Sequence, residues 1–349
     1  MNFLRKGNNT PLRVNQNQDK TLLHLPNIFL FQQSPERRSI HQNKSQNQKY
    51  VLKKLDLSTN TVDLKSDRTK QLIGNLSYQT RTLSGLNINN QQKINQDSYL
   101  ILKDLEYKLF GIYDGHGRFG HLVSSFMKFN LEKFINSQTG NIEEMKVAYE
   151  QVNNKLLESN IDTQLSGSTG ISVHINGQHL FCCNVGDSKA ILGRRQLLNK
   201  YQAIKLNKLH KPIGQERDRI IKFGGRVECN RDLYGRPKSP LRIWMLNEDL
   251  PGLAMTRSFG DKMGIKAGII AIPDIIEVLL TKDDHFILIG SDGLFEHLNE
   301  DDICKLISRY YPLQIEKAAD MLMLEAQKSW KSFCLGRDDI TFILIFRFT

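Results

Sequence analysis

Two short apolar runs in this sequence end on an Asp-Gly pair: residues 109–113 lead directly into Asp114-Gly115-His116-Gly117, and residues 286–291 lead into Asp292-Gly293. A third apolar run, 341–348, follows Asp338-Asp339, and a fourth, 98–102, follows Asp97. If the third pairs antiparallel with one of the others, its leading aspartates reach the same sheet edge. Carboxylates gathered there would raise one another's pKa and repel, and divalent cations would remove the repulsion. Oxygen ligands without a His or Cys pairing favour Mg²⁺ or Mn²⁺ over Zn²⁺. A glycine after each aspartate lets the backbone approach closely, so the Gly115 carbonyl is a candidate ligand. The alternative for any single Asp-Gly is an ordinary turn after a strand, and the pattern alone leaves both readings open.

Elements of two kinds must position these residues. Runs at 98–102, 109–113, 170–175, 179–185, 286–290 and 341–348 read as strands. Segments 122–135, 142–157, 217–223, 302–308 and 314–328 carry apolar residues at helical spacing. The two kinds come in groups rather than in strict alternation, which points to a layered α+β fold and away from a doubly wound parallel sheet. No internal repeat is evident.

The chain of 349 residues is long enough for a catalytic domain with an appendage. Residues 1–69, rich in Asn, Gln, Ser and Lys and without apolar periodicity, read as a disordered basic extension to a domain over 70–349. Within the extension, 22–31 is apolar enough for a short docking segment or a plain linker. About +7 of the formal charge of +11 lies in residues 1–69, and no basic surface interleaved with aromatics argues for nucleic-acid binding. Five scattered cysteines fit neither a metal-binding spacing nor a disulfide framework, so the expected setting is intracellular, cytoplasmic or nuclear. No stretch has the length and apolarity of a membrane span, the N-terminus lacks a signal-peptide core, and Asn2 excludes the myristoylation pattern.

Further short motifs follow one another in a fixed order. After Asn95-Gln96-Asp97-Ser98 and Tyr113-Asp114-Gly115-His116-Gly117 come Ser166-Gly167-Ser168-Thr169-Gly170 and Asn184-Val185-Gly186-Asp187-Ser188-Lys189-Ala190. Then come His210-Lys211-Pro212, Glu216 with Arg219-Ile220, Gly224-Gly225-Arg226-Val227, a stretch from Gly252 to Asp261 and Pro273-Asp274. Ser291-Asp292-Gly293-Leu294-Phe295-Glu296 and Asp338-Asp339-Ile340-Thr341 close the series. Together they resemble the protein phosphatase 2C family, the metal-dependent serine/threonine phosphatases, across residues 75–349. The resemblance implies a four-layer α/β/β/α sandwich with two central antiparallel sheets and a binuclear Mg²⁺ or Mn²⁺ site in a cleft at one end. It implies that Asp97, Asp114, Gly115 through its carbonyl, Asp292 and Asp338 hold two cations, and that Asp187 belongs to a third, weaker site. It further implies hydrolysis of phosphoserine and phosphothreonine in phosphoprotein substrates by a metal-activated hydroxide, with His116 as general acid. A monomer is expected. Residues 228–249 fall at the family's flap, where Arg231, Arg236, Lys238 and Arg242 would either steer acidic peptides or lie in an ordinary solvated loop.

The sequence departs from the family pattern at several positions. Gln96 and Gln92 stand where some members have a Glu and a phosphate-gripping Arg, which leaves Lys93 as the substitute phosphate-binding residue, with charge but no bidentate geometry. Gly170, Lys189 and Arg118 are smaller departures. Asp339, where Asn is common, is expected to add negative charge beside the cations, and Arg257 and Asp261 are expected to form a structural ion pair. The competing reading is a pseudophosphatase that keeps the fold as a phosphoprotein-binding regulatory module; the intact set of aspartates speaks against it.

Overall fold

A strand covered on both faces must be apolar at nearly every position, and two strands of this chain are. Asp284–Gly290 is buried throughout, and Ile340–Arg347 is buried up to its last residue. The computed structural model describes residues 72–73, 76–102, 108–135, 141–333 and 336–348, so the basic extension over 1–69 and its 22–31 segment lie outside the described residues.

One sheet has six strands in the order β1 (Leu72–Ile73), β2 (Leu76–Leu83), β16 (Ile340–Arg347), β15 (Asp284–Gly290), β8 (Lys189–Arg195) and β9 (Tyr201–Lys205). The other runs β13 (Phe259–Gly260), β5 (Gly167–Ser168), β4 (Lys108–His116), β6 (Gly170–Asn176), β7 (His179–Val185) and β14 (Asp274–Leu279), with β3 (Asp97–Leu102) paired to β4. Every neighbouring pair in both sheets is antiparallel.

Because side chains alternate across a strand, each central strand feeds two cores. On β15, Phe286 and Leu288 join Phe342, Leu344 and Phe346 of β16 against the helices α6 (Glu300–Ser308) and α7 (Ile315–Phe333). Ile287, Ile289, Ile343 and Ile345 point the other way, into a core shared with Phe110, Ile112, Ile171 and Val173 of the second sheet. Leu109 and Tyr113 of β4 then face α1 (Gly120–Ile135) and α2 (Ile142–Leu157), where Val123, Met127, Tyr149 and Val152 close a third core. Three cores separate four layers, the α/β/β/α sandwich.

The helices at 120–135, 142–157, 300–308 and 315–333 agree with their apolar spacing to within a few residues. Asn141 caps α2 by accepting a hydrogen bond from the Glu143 amide at 3.0 Å, with Glu143 and Glu144 in the first turn. Asn299 caps α6 in the same way, accepting from the Asp301 amide at 2.8 Å. A fourth small core, built on Ile220, Ile243, Ala267 and Ile269, holds a separate three-stranded sheet of β10 (Gly225–Glu228), β11 (Arg242–Met245) and β12 (Glu248–Leu253). Ile220 comes from α3 (Gly214–Lys222), and the short α4 (Lys262–Lys266) lies just before Ala267. The segment expected to be a flap is therefore a folded hairpin unit.

Candidate active site

The antiparallel arrangement brings five chain segments to one end of the sandwich. Asp97 begins β3, and the register of β3 with β4 sets it directly opposite Asp114. Gly115 and His116 follow at the end of β4. Asp292 opens α5 (Asp292–Phe295) immediately beyond β15, Asp338 precedes β16, and Asp187 lies in the turn between β7 and β8. The expectation that the leading aspartates of β16 reach the same edge rests on the observed antiparallel pairing of β15 with β16.

Contacts across the sandwich bind these segments together. The Ser291 hydroxyl donates to Asp97 Oδ2 at 2.9 Å, joining the end of β15 to the start of β3. The Asp114 amide donates to Thr169 Oγ1 at 3.1 Å, and Thr169 Oγ1 lies 2.8 Å from Ser188 Oγ, next to Asp187. The Gly115 amide donates to the Gln96 carbonyl at 3.1 Å. A side chain at Gly115 would put a Cβ 2.3 Å from the Gly120 carbonyl oxygen, so only glycine lets α1 start this close to the strand end.

The electrostatics record the crowding. Burial, reinforced by Asp339, pushes the Asp97 carboxyl up to about 7. Burial, then Asp187 and Asp338, pushes Asp292 up to about 8. Asp114 stands well above the ordinary carboxylate range for the same reason, with the charges of Asp97 and Asp292 adding to the burial. Asp97 Oδ1 and Asp187 Oδ1 are buried without a hydrogen-bond partner. Such oxygens lack a positive partner. Among the described residues no three His, Cys, Asp or Glu side chains close around a single point.

His116 turns its Nε2–H to Asp261 Oδ2, 2.7 Å away. Burial opposes charge on this ring, but the Asp261 carboxylate outweighs it, and the imidazole pKa is raised. The expected pairing of Arg257 with Asp261 is thus corrected. Arg257 instead binds Glu216 at 2.6 Å and Asp274 at 2.7 Å, tying α3 to β14, while Asp261 is committed to the histidine. A short motif holding both charges suggested one pair, but each of the two residues takes partners from distant segments instead.

Asp339 is buried and accepts hydrogen bonds from the Gly85 and Gln96 amides, and its negative charge acts on the neighbouring Asp97, as expected. Gln96 Nε2 donates to the Gly117 carbonyl at 2.7 Å, which makes Gln96 a brace for the loop after β4. Gln92 pairs through its backbone with Leu86. Lys93 Nζ is 3.0 Å from Asp338 Oδ1 and reaches the aspartate cluster, although Asp338 already holds one of its donors.

In the flap, Arg231 donates to the Gly235 carbonyl, Arg236 binds Asp232 and Arg242 donates to the Gly252 carbonyl, so three of the four basic residues order the hairpin itself. Sequence reasoning overlooked Lys211, whose ammonium binds Asp187. Its position in His210-Lys211-Pro212 was visible, but no spacing rule links it to a residue more than twenty positions away.

A family model described as "Protein phosphatase 2C" matches residues 77–331. The chain is similar to "Probable protein phosphatase 2C 35" of Arabidopsis thaliana, 30% identical over 291 residues that make up 77% of this chain and 83% of the relative. It is also similar to "Probable protein phosphatase 2C 72" of the same plant, 31% identical over 274 residues, 72% of this chain and 81% of the relative. Among solved structures, the serine-threonine phosphatase 2C from Toxoplasma gondii aligns with a TM-score of 0.68 at 18% identity, covering 78% of this chain and 95% of that one. That last likeness concerns the fold.

Proposed function

The chain belongs to the protein phosphatase 2C family and is a protein serine/threonine phosphatase, and on that premise we propose that it hydrolyses phosphoserine and phosphothreonine side chains at the aspartate-lined end of the sandwich. The observation that carries the proposal is the opposition of Asp97 and Asp114 across β3 and β4, with burial first and then the neighbouring aspartates holding these two carboxyls and that of Asp292 above their ordinary range.

Asp97, Asp114, the Gly115 carbonyl, Asp292 and Asp338 would hold two divalent cations, Mg²⁺ or Mn²⁺, with Asp187 at a third, weaker position. When bound, the cations supply Lewis-acid stabilisation of phosphoryl charge and a water acidic enough to act as hydroxide at neutral pH. The unpartnered buried oxygens of Asp97 and Asp187 support this assignment. Ser291, by donating to Asp97 Oδ2, leaves Oδ1 as the oxygen without a protein partner. Thr169 holds the Asp114 backbone on the same line. His116 donates a proton to the departing seryl or threonyl oxygen, a step worth about 10²–10⁴ in rate. Lys93 supplies charge to the phosphoryl group, since an ammonium on Asp338 keeps two further donors.

The substrates we propose are phosphoproteins bound by a monomer, and the cellular setting is cytoplasmic or nuclear, consistent with the unpaired Cys182, Cys183, Cys229 and Cys304. No helix among the described residues is long and apolar enough to cross a membrane. The test is hydrolysis of a phosphothreonine peptide with Mn²⁺, with EDTA, and by Asp114→Ala and Asp292→Ala. Metal-dependent turnover lost in all three controls is the expected result. A folded, metal-loaded protein without turnover would overturn the reading in favour of a binding-only descendant of the fold.

A further inference from the structure

Asp261 is held in a conformation that its neighbours must enforce. Its backbone φ is 45°, in the left-handed region, directly after Gly260 at 77°. A non-glycine residue there carries strain that persists only where surrounding contacts fix it, and such residues gather at functional sites. Those contacts are present. The Asp261 amide donates to the Ser166 carbonyl at 3.1 Å, the Lys262 amide to the Thr163 carbonyl at 2.8 Å, and the Gly260 amide to Asn153 Oδ1 at 2.9 Å.

The bland role for an aspartate in this position is to cap α4, because Asp261 is the residue that precedes the helix. It makes no capping hydrogen bond. Its side chain, 1% exposed, turns away from the helix to accept from His116 Nε2 at 2.7 Å and from the Ser258 hydroxyl, both on Oδ2. Oδ1 is left buried and unpartnered. A Cβ on Gly167, the residue paired with His116 across β5 and β4, would lie 2.2 Å from Oδ2. The glycine therefore keeps open the space through which carboxylate and ring meet. The other ring nitrogen, His116 Nδ1, is buried and has no partner.

We propose that Asp261 is a positioning residue for the phosphatase reaction: it fixes the rotation and proton placement of the His116 ring, so that Nε2–H stays on Oδ2 and Nδ1 is the atom presented to the leaving group. This rests on the reading of His116 as general acid. In the step concerned, the bond between phosphorus and the seryl or threonyl oxygen breaks as the bond to hydroxide forms. The proton on Nδ1 passes to the departing oxygen, and the ring ends neutral with Nε2–H still on Asp261. Water returns the proton before the next turnover. Asp261 touches no reacting atom.

The role is separable from a structural one by the leaving group. A threonyl alkoxide needs a proton, whereas p-nitrophenolate, a weak base, leaves without one. The experiment measures kcat of the full chain with Mn²⁺ on a phosphothreonine peptide and on p-nitrophenyl phosphate, for wild type, Asp261→Asn, His116→Gln and the double variant. Asp261→Asn is expected to lower the peptide rate by about 10²-fold and the p-nitrophenyl phosphate rate several-fold at most, with the double variant no slower on peptide than His116→Gln alone. Equal losses on both substrates, or losses that add in the double variant, would overturn the proposal. Ser258→Ala, which frees one side of the carboxylate, is the second variant, and should give the same substrate split at smaller size even if Asp261→Asn fails to fold. If wild type does not turn over the peptide, it is the phosphatase reading that fails. The positioning is then read from the ring ¹⁵N resonances of His116, which should show a proton fixed on Nε2 in wild type and a mixed tautomer in Asp261→Asn; a mixed tautomer already in wild type would overturn it.

Discussion

Asp97 and Asp114 face each other at the open ends of two paired strands, and burial keeps both carboxyls well above their solution values. Each is close to 3.8 when unfolded and raised in the folded chain, so ionising them costs stability. That cost is absent below about pH 4, grows as the pH rises toward the folded values of about 7 for Asp97 and about 8 for Asp292, and is complete above them. His116, whose raised pKa comes from Asp261, contributes stability at low pH that is lost as the pH rises through its folded value, which adds to the same trend. Without divalent cations, the melting temperature should therefore fall between pH 5 and pH 8. Mn²⁺ should restore it, by more at pH 8 than at pH 5. Asp97→Asn should flatten the metal-free profile in a calorimetric scan, and an unchanged slope would separate the carboxylates from the effect. Groups that lose stability in acid, such as Glu216 and Asp274, both lowered to about 2, act below this window.

At the scale of elements, the flap unit is tied to the sandwich by charge as well as by its small core. Arg257 lies between Glu216 of α3 and Asp274 at the start of β14, and Glu216 also binds Arg219 and accepts from the Thr256 hydroxyl. Arg257→Met leaves two carboxylates facing a site shaped for a guanidinium. The expected cost is about 3 kcal/mol in urea unfolding, larger than for an exposed pair such as Lys305 with Asp302, which should change stability by less than about 1 kcal/mol when broken. Comparable losses at the two sites would mean that the buried network is no stronger than a surface one. In the core between the sheets, Ile287 and Ile345 are neighbours in register and fully buried, and Ile287→Ala should cost about 2–5 kcal/mol with an unchanged dependence on denaturant.

At the scale of the whole molecule, every residue assigned to the site lies between Lys93 and Asp338, inside the stretch that builds the two sheets and their helices. A chain beginning at residue 70 should therefore retain metal-dependent phosphatase turnover and the melting temperature of the full chain. A large loss on truncation would assign residues 1–69 a direct part in folding or catalysis. The basic excess in that stretch should then affect the choice of partner more than the rate on a short peptide.

The sequence by itself determined the strands that end in aspartate, the helices between them and the order of the motifs. All of these are local: apolar runs, Asp-Gly steps and helical spacing are set by neighbours a few positions apart. Strands such as Leu76–Leu83 and Lys189–Arg195 were less legible, because their polar residues break the apolar run and only pairing with β16 and β15 makes them strands. Contacts between distant segments were decided by the tertiary structure alone. Asp261 reaches His116 from 145 positions away, Asp339 accepts hydrogen bonds from amides of the segment before β3, and Arg257 turns to Glu216 and Asp274. Residue types can state which charges are available. Which pairs form depends on the direction each side chain takes once the sheets are stacked, and that direction is a property of the packed layers.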